Sequence, residues 1–272
     1  MIRLALLAAL AWTAAAQKKD LLFHASFDQG VDAGVARGDK RLHTATSYQK
    51  RDDAKPGLHN PDIEIAPGAG KFGGALRFKK KNTKAVYYPA EGNVNFKSGS
   101  WDGTISFWLS LDPETDLEPG FCDPIQVTDA AYNDGAIWVD FTKDDKPRHF
   151  RLGVFGDLNK WNPKNVPSDK NPAFNNRLVV MKKTPFAKGQ WTHIAISHKG
   201  LGTGKGTATL YVNGAAVGTT ETIAEGLEWD MSKAAIRLGV GYVGLFDELS
   251  IFRRPLSAQE ISKLYNAKKG LQ

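Results

Sequence analysis

The stretch from Gly244 to Ile261, GLFDELSIFRRPLSAQEI, admits few structures. Its period-two alternation predicts a strand with Leu245, Asp247, Leu249 and Ile251 on one face and Phe246, Glu248, Ser250 and Phe252 on the other. A carboxylate among apolar neighbours is costly to desolvate, so Asp247 is expected to meet a cation, backbone donors or water. Ser257 then reads as a helix N-cap, with Glu260 three residues on completing a capping box. Leu256 and Ile261 fall where a hydrophobic staple belongs, Ile261, Leu264 and Tyr265 form one apolar stripe, and Gly270 can end the helix. A strand therefore feeds directly into a short C-terminal helix.

The remainder of the chain reads as strands and turns. Asp20–Phe27 begins the series, and 31–67 follows as polar surface loops with short strands. Gly74–Phe78 and Ala85–Pro89 are expected to pair around the basic run Lys79–Lys84. Thr104–Leu111 alternates most clearly, with Ile105, Phe107, Leu109 and Leu111 on one face. Pro124–Thr128, Ala136–Thr142 and His149–Phe155 are expected as a meander, and Arg177–Lys183 and Trp191–His198 resume the sheet. Thr207–Val212 and Ala215–Thr220 flank Asn213-Gly214, a dipeptide that suits the positive φ of a type I′ hairpin turn. Ala235–Val240 leads into the closing strand. These elements predict an all-β, two-sheet antiparallel β-sandwich, a jelly roll, with a short C-terminal helix.

Four segments, in order, carry a family resemblance. They are Gly70–Phe78 (GKFGGALRF), Gly103–Ser110 (GTISFWLS), Gln190–Ile196 with Leu210–Gly214 (QWTHIAI and LYVNG), and the closing stretch. Together they resemble the LamG-like jelly rolls of the concanavalin A-like lectin/glucanase superfamily, from Leu21 to the end of the chain. The resemblance implies the sandwich fold and says less about activity, because lectins, hydrolases, lyases and adhesion modules share it. It also implies a structural calcium ion (Ca2+) between the first-strand region and the closing strand, at Asp28 and Asp247. Calcium takes several oxygen ligands, which two carboxylates with backbone carbonyls can supply. Family members add an acid shortly after the first strand, for which Asp32 and Asp39 are the candidates. The alternative is that Asp28 caps a turn and Asp247 accepts backbone hydrogen bonds.

Residues 1–16 have the form of a secretory signal peptide: Arg3, the apolar run Leu4–Trp12 and the site Ala14-Ala15-Ala16. The apolar run is too short to span a bilayer. The mature domain, 17–272, is then expected to be secreted or periplasmic. Cys122 is the only cysteine, so no internal disulfide can form. The formal charge of +7 favours anionic surfaces without naming one, and Lys79–Lys84 is the densest basic cluster. Export and the absence of a recognised binding module argue against nucleic acid.

Hydrolysis on this fold uses paired carboxylates on one strand face, and no such spacing occurs; adjacent Asp247 and Glu248 are expected to point to opposite faces. Sugar binding would use aromatic platforms among polar groups. Trp138, alternating with Ile137 and Val139, faces away from them, while Tyr132, Asn133 and Asp134 lie in the preceding loop. Trp161 lies in the irregular segment Gly156–Pro172 and is expected to be exposed, or else to fold back and pin its own loop. Trp161, Trp138, Tyr132 and Asp134 are therefore the candidate ligand-binding residues. His193 and His198 are expected to be hydrogen-bonded structural residues. The sequence points to an exported, non-catalytic module binding a carbohydrate or cell-surface polymer, with an anionic ligand in view. The alternatives are a polysaccharide hydrolase or lyase of the same fold, and a protein-binding adhesion module.

Overall fold

The computed structural model describes residues 19–82 and 84–271; the expected signal peptide, residues 1–16, lies outside them. Two eight-stranded antiparallel sheets face each other. The first runs β14 (Ala215–Thr219), β13 (Thr207–Val212), β12 (Thr192–Leu201), β7 (Trp101–Ser110), β16 (Gly244–Phe252), β5 (Ala75–Phe78), β4 (Ile63–Ala66), with β1 (Leu21–Ala25) also on β16. The second runs β11 (Leu178–Met181), β10 (Phe150–Phe155), β9 (Ala136–Phe141), β8 (Cys122–Thr128), β15 (Ala235–Val240), β6 (Ala85–Pro89), β2 (His43–Ala45), β3 (Lys55–Pro56). Short helices α1 (Leu158–Trp161) and α2 (Pro172–Asn175) lie between β10 and β11, and α3 (Ala258–Tyr265) follows β16. This is the expected β-sandwich with its C-terminal helix.

The expected three-stranded meander is present as β8–β9–β10, and β11 extends it. One expected pairing is not. β5 joins the first sheet beside β16, whereas β6 joins the second beside β15, so the basic run between them carries the chain from sheet to sheet. The sequence could not distinguish a hairpin from a crossover, since both need a polar connection between two short strands.

Period-two alternation buries Ile105, Phe107 and Leu109 of β7 and Ile194 and Ile196 of β12 against Ile125, Val127, Ile137, Val139, Ile236 and Leu238 from the second sheet. Each of these side chains is essentially inaccessible to solvent, which makes this interface the dominant apolar stabilisation. Asn213 (φ 50°) and Gly214 (φ 78°) form the expected tight turn, with Val212 opposite Ala215. The capping box at Ser257 and Glu260 is formed, and Leu256 packs with Ile261 beneath α3.

The alternation expected for β16 is interrupted. Asp247 pairs with Trp108 and Ser250 with Ser106, with a register shift between them. Glu248 takes the left-handed conformation there (φ 54°), inserting one residue and resetting the phase. Phe246, Leu249 and Ile251 consequently join the apolar core, while Asp247 and Ser250 sit on the side of Trp108 and Ser106. A single bulge moves Asp247 away from the apolar neighbours assigned to it by simple alternation.

Candidate functional site

The outer face of the second sheet holds a cleft of about 780 Å3. Its floor comes from alternate residues of three strands. Gln126 of β8 pairs with Trp138 of β9, which pairs with Gly153 of β10; Asp140 of β9 lies opposite Arg151 of β10. A Cβ at Gly153 would stand 2.2 Å from the Trp138 ring, so only glycine lets that ring lie flat on the neighbouring strand. Trp138 Nε1 donates to the Tyr132 carbonyl at 2.6 Å, tying the floor to the loop before β9.

Loops supply the walls. Segment 156–177 folds over the outer face because Trp161 and Phe174 bury their rings against Phe155, Ala136 and Trp138. Ser168, Asp169, Phe174 and Asn175 of this segment line one side. At the other end Phe121 is 47% exposed, beside the Arg151 guanidinium at 5.1 Å and the Lys143 ammonium at 5.6 Å. Arg148 holds the loop presenting Phe121, donating to the carbonyls of Glu118 and Gly120 at 2.9 Å and of Thr142 at 3.2 Å. Tyr132, 43% exposed, stands edge-on to Phe174. Two accessible rings thus flank a floor of indole, amide, carboxyl and guanidinium groups.

Electrostatics beneath the cleft are tightly matched. Arg151 donates through Nε to Asp140 Oδ1 at 2.9 Å and through Nη2 to Asp140 Oδ2, a bidentate pair that is largely buried. Gln126 Nε2 donates to Asp123 Oδ2. Burial, followed by repulsion from Asp140, pushes the Asp123 carboxyl well above the usual carboxylate range. Burial also raises Asp140, and the Arg151 fork opposes that rise. The structure therefore does place two carboxyl groups on one face, from neighbouring strands, where spacing along a single strand revealed none.

The four candidate ligand residues converge on this region but divide by role. Trp138 and Tyr132 line the cleft. Asp134 does not; its Oδ1 accepts the Leu158 N–H at 2.9 Å and docks α1 onto the loop. The expectation that Trp161 is exposed is corrected: it is 8% accessible, donates from Nε1 to the Asn133 carbonyl at 3.0 Å, and has Arg177 over its ring at 4.7 Å. Its helix α1, capped by Asp157, aims the ring inward, so it pins the wall. Phe121, Asp123, Gln126, Asp140 and Arg151 were not among the sequence candidates. The signal for Asp140 was available, since it follows Trp138 by two residues in a strand.

Asp28 and Asp247 approach one turn, Gly70–Gly74, from two chain ends. Asp28 Oδ1 accepts the Gly74 N–H at 2.8 Å. Asp247 accepts the N–H groups of Lys71 (2.7 Å), Phe72 (3.2 Å) and Glu248 (2.8 Å). Asp39 is engaged by Arg41 at 2.7 Å, away from this turn. Among the described residues no group of three or more His, Cys, Asp or Glu side chains is placed to hold a metal ion. The buried Oε1 of Glu248, the residue after Asp247, has no hydrogen-bond partner.

Glu248 also belongs to a buried polar group under the C-terminal tail. Its Oε2 accepts the Leu271 N–H at 3.2 Å and lies 3.8 Å from His24 Nε2. His24 meets Ser250 at 3.0 Å and His193 meets Ser106 at 2.9 Å, beside a water-sized cavity of about 20 Å3. Cys122 is buried and desolvation raises its thiol, as suits an inert core residue.

A two-sheet antiparallel sandwich with an aromatic-edged cleft on one outer face defines the class: a β-sandwich domain of the jelly-roll kind. The chain belongs to the concanavalin A-like lectin/glucanases superfamily, whose family model matches residues 80–262. No curated protein matches it. Among solved structures it is similar to domain 4 of AbnA, a GH43 extracellular arabinanase from Geobacillus stearothermophilus in complex with arabinotriose: 18% identity, TM-score 0.55, covering 90% of this chain and 98% of that domain. It is also similar to the botulinum neurotoxin serotype D ligand-binding domain in complex with N-acetylneuraminic acid: 9% identity, TM-score 0.59, covering 94% of this chain and 53% of that one. A third is the binding domain of Paraclostridial Mosquitocidal Protein 1, at 16% identity and TM-score 0.57, covering 92% of this chain and 52% of that one. The chain spans about half the length of these last two structures. Identities this low speak to the fold alone. Among the described residues no helix is long and apolar enough to cross a membrane.

Trp161→Ala should cost about 3 kcal/mol in urea unfolding, as loss of a buried indole does; an unchanged midpoint would remove its role as the pin of segment 156–177. A second outcome concerns pH. Burial, then repulsion from Glu248, raises Asp247 from an ordinary carboxylate value to about 8, and burial raises Glu248 to about 7. The folded state therefore binds more protons than the unfolded state over the window from about pH 4 to about 8, and stability falls as pH rises through it. Burial lowers His24 to about 4, His193 to about 3 and His198 to about 4, which acts oppositely below about pH 6.5. Between about pH 6.5 and 8 only the acids remain, so chelator-treated protein should lose melting temperature across that interval. Asp247→Asn should lessen the loss, with Glu248 and Asp123 carrying the remainder, and a level wild-type profile would contradict the assignment.

Proposed function

We propose that this chain is an exported, non-catalytic glycan-binding module whose ligand lies in the cleft over β8, β9 and β10. The observation that supports this most directly is the pair of exposed rings, Phe121 and Tyr132, flanking a polar floor with Trp138 in it. Pyranose and furanose rings present a C–H face that packs on aromatic rings, and hydroxyls that pair with amide, carboxyl and hydroxyl groups. The volume suits a short oligosaccharide. The arabinanase domain in complex with arabinotriose and the neurotoxin domain in complex with N-acetylneuraminic acid, both similar in fold, support the same reading. The binding reading is favoured over hydrolysis because Asp140 is paired with the Arg151 fork and burial pushes Asp123 toward its protonated form, so neither carboxyl is a ready general base. It is favoured over a protein-docking face because the exposed large apolar side chains lining the cleft are only Phe121 and Tyr132, set among polar and charged residues.

The reading includes a structural calcium ion at Asp28 and Asp247. Its support is physical: Asp247 and Glu248 are buried acids with no Lys or Arg ion pair among the described residues, and Phe27 (φ 57°) and Glu248 (φ 54°), two strained non-glycine residues, flank the Gly70–Gly74 turn. A bound cation there would neutralise charge and fasten the N-terminal strand region to β16.

The reading also places the mature chain outside the cytoplasm, on the strength of Arg3, Leu4–Trp12 and Ala14–Ala16. N-terminal sequencing of material from the native host should begin at Gln17, and an intact Met1 on cytoplasmic protein would sink this part. Calcium at about a hundredfold excess over Kd should add about 2.7 kcal/mol of stability, reversed by chelator and abolished by Asp247→Asn. No response to either treatment leaves Asp247 as an acceptor for the turn. For the cleft itself, a glycan array on the purified mature protein identifies a ligand. Tyr132→Ala and Phe121→Ala should each weaken its binding about tenfold while stability stays within about 0.5 kcal/mol of wild type. Full affinity in both variants would place the ligand elsewhere.

A further inference from the structure

We infer that the ligand of this cleft is an uncharged oligosaccharide and not an acidic one, despite the formal charge of +7; the inference rests on the glycan-binding reading above. The ionisable side chains lining the cleft are Asp123, Asp140, Lys143, Asp144, Arg151 and Asp169; burial pushes Asp123 toward its protonated form, which leaves three carboxylates against two bases. An acidic sugar needs a cation with an open face; Arg151 is already engaged, and Lys143, half exposed, has a carboxylate beside it. A guanidinium recognises a carboxylate through its two-pronged fork. Arg151 gives Nε and Nη2 to the two oxygens of Asp140, and its plane is further covered by Phe121 at 5.1 Å and Trp138 at 5.7 Å. Lys143 stands 3.4 Å from the Asp144 carboxylate. Asp169 is exposed on the wall and would repel an anion entering past it.

Three lysines of the basic run that most suggested an anionic ligand are engaged as well, two of them by acids. Lys79 lies 3.2 Å from Glu64, Lys80 lies 3.8 Å from Asp62, and Lys81 donates from Nζ to the Pro119 carbonyl at 2.6 Å. The sign of the whole chain therefore does not describe the cleft. What the cleft offers a ligand is two rings, an amide at Gln126, another at Asn175, and carboxyl oxygens that accept from hydroxyls. Carboxylate acceptors with a surplus of negative charge suit neutral hydroxyl donors and penalise uronate, sulfate or sialate groups by like-charge repulsion.

The test is an array of neutral and acidic oligosaccharides, the latter carrying uronate, sulfate or sialate, followed by titration of the leading hits. The expected hits are neutral, with Kd changing less than about twofold between about 0.05 and about 0.5 M NaCl, because screening weakens only ionic contacts. Asp140→Asn, which opens the Arg151 fork, should raise affinity for uronate oligosaccharides about fivefold or more. Asp144→Asn, whose side chain is 80% exposed, asks the same of Lys143 if the first variant does not fold. Hits led by acidic glycans, weakening about tenfold or more over the salt range, would overturn this inference and leave glycan binding standing. Folded variants with no gain toward uronates would also count against it. An array without any hit would overturn the glycan-binding reading itself.

Discussion

The sandwich depends on β16 taking its place between β7 and the strands β5 and β1. One edge of β16 pairs with β7, and the other is shared, with β5 along Gly244–Phe246 and β1 along Leu249–Phe252. Residues about 230 positions apart, Leu21 and Phe252 among them, therefore meet in one ladder. Until the last strand arrives, the first sheet lacks its centre and the apolar faces of β7, β5 and β1 have no common neighbour. Such non-local pairing must meet its loop-closure entropy before contacts offset it. The bulge at Glu248 is part of the same device. It lets Phe246 and Leu249 both reach the core while Asp247 turns outward to organise the Gly70–Gly74 turn.

How much of this was legible follows from what each feature depends on. The Asn213-Gly214 turn, the Ser257–Glu260 cap and the alternation of β7 depend on local chemistry, so the sequence showed them directly. The two-sheet plan followed from those elements and the family resemblance. The phase of β16 did not, because a bulge with a non-glycine residue in the left-handed region has no local signature at Leu-Phe-Asp-Glu. The crossing of the basic run from sheet to sheet depends on which strands each neighbour finds, which is a tertiary matter.

The cleft was half legible for the same reason. Trp138 and Tyr132 stand out as aromatic residues near turns, yet Arg151 joins them only through the β9–β10 register that sets it opposite Asp140. Trp161 misled because a polar, irregular segment usually lies on the surface. Here the segment is on the surface and its indole is not; the ring is what keeps the segment there, together with Phe174. An aromatic residue in a polar loop has two physical destinies, and only its neighbours in space decide between them.

The outer face of the second sheet is also informative for what it does not economise on. A solvent-facing sheet surface needs only polar residues, and a covered one is most stable when apolar. Asp123, Asp140 and Arg151 sit between those cases, desolvated by the cleft walls while still charged or hydrogen-bonded. Ion pairs this well buried rarely add net stability over apolar replacements of the same size, since their desolvation offsets their attraction. Rim residues such as Phe121 and Tyr132 are likewise unprofitable as exposed apolar surface in a monomer. Costs of both kinds concentrated in one cleft, with the wall held by Trp161 and the Phe121 loop held by Arg148, are the expected mark of a surface shaped for an occupant rather than for the fold.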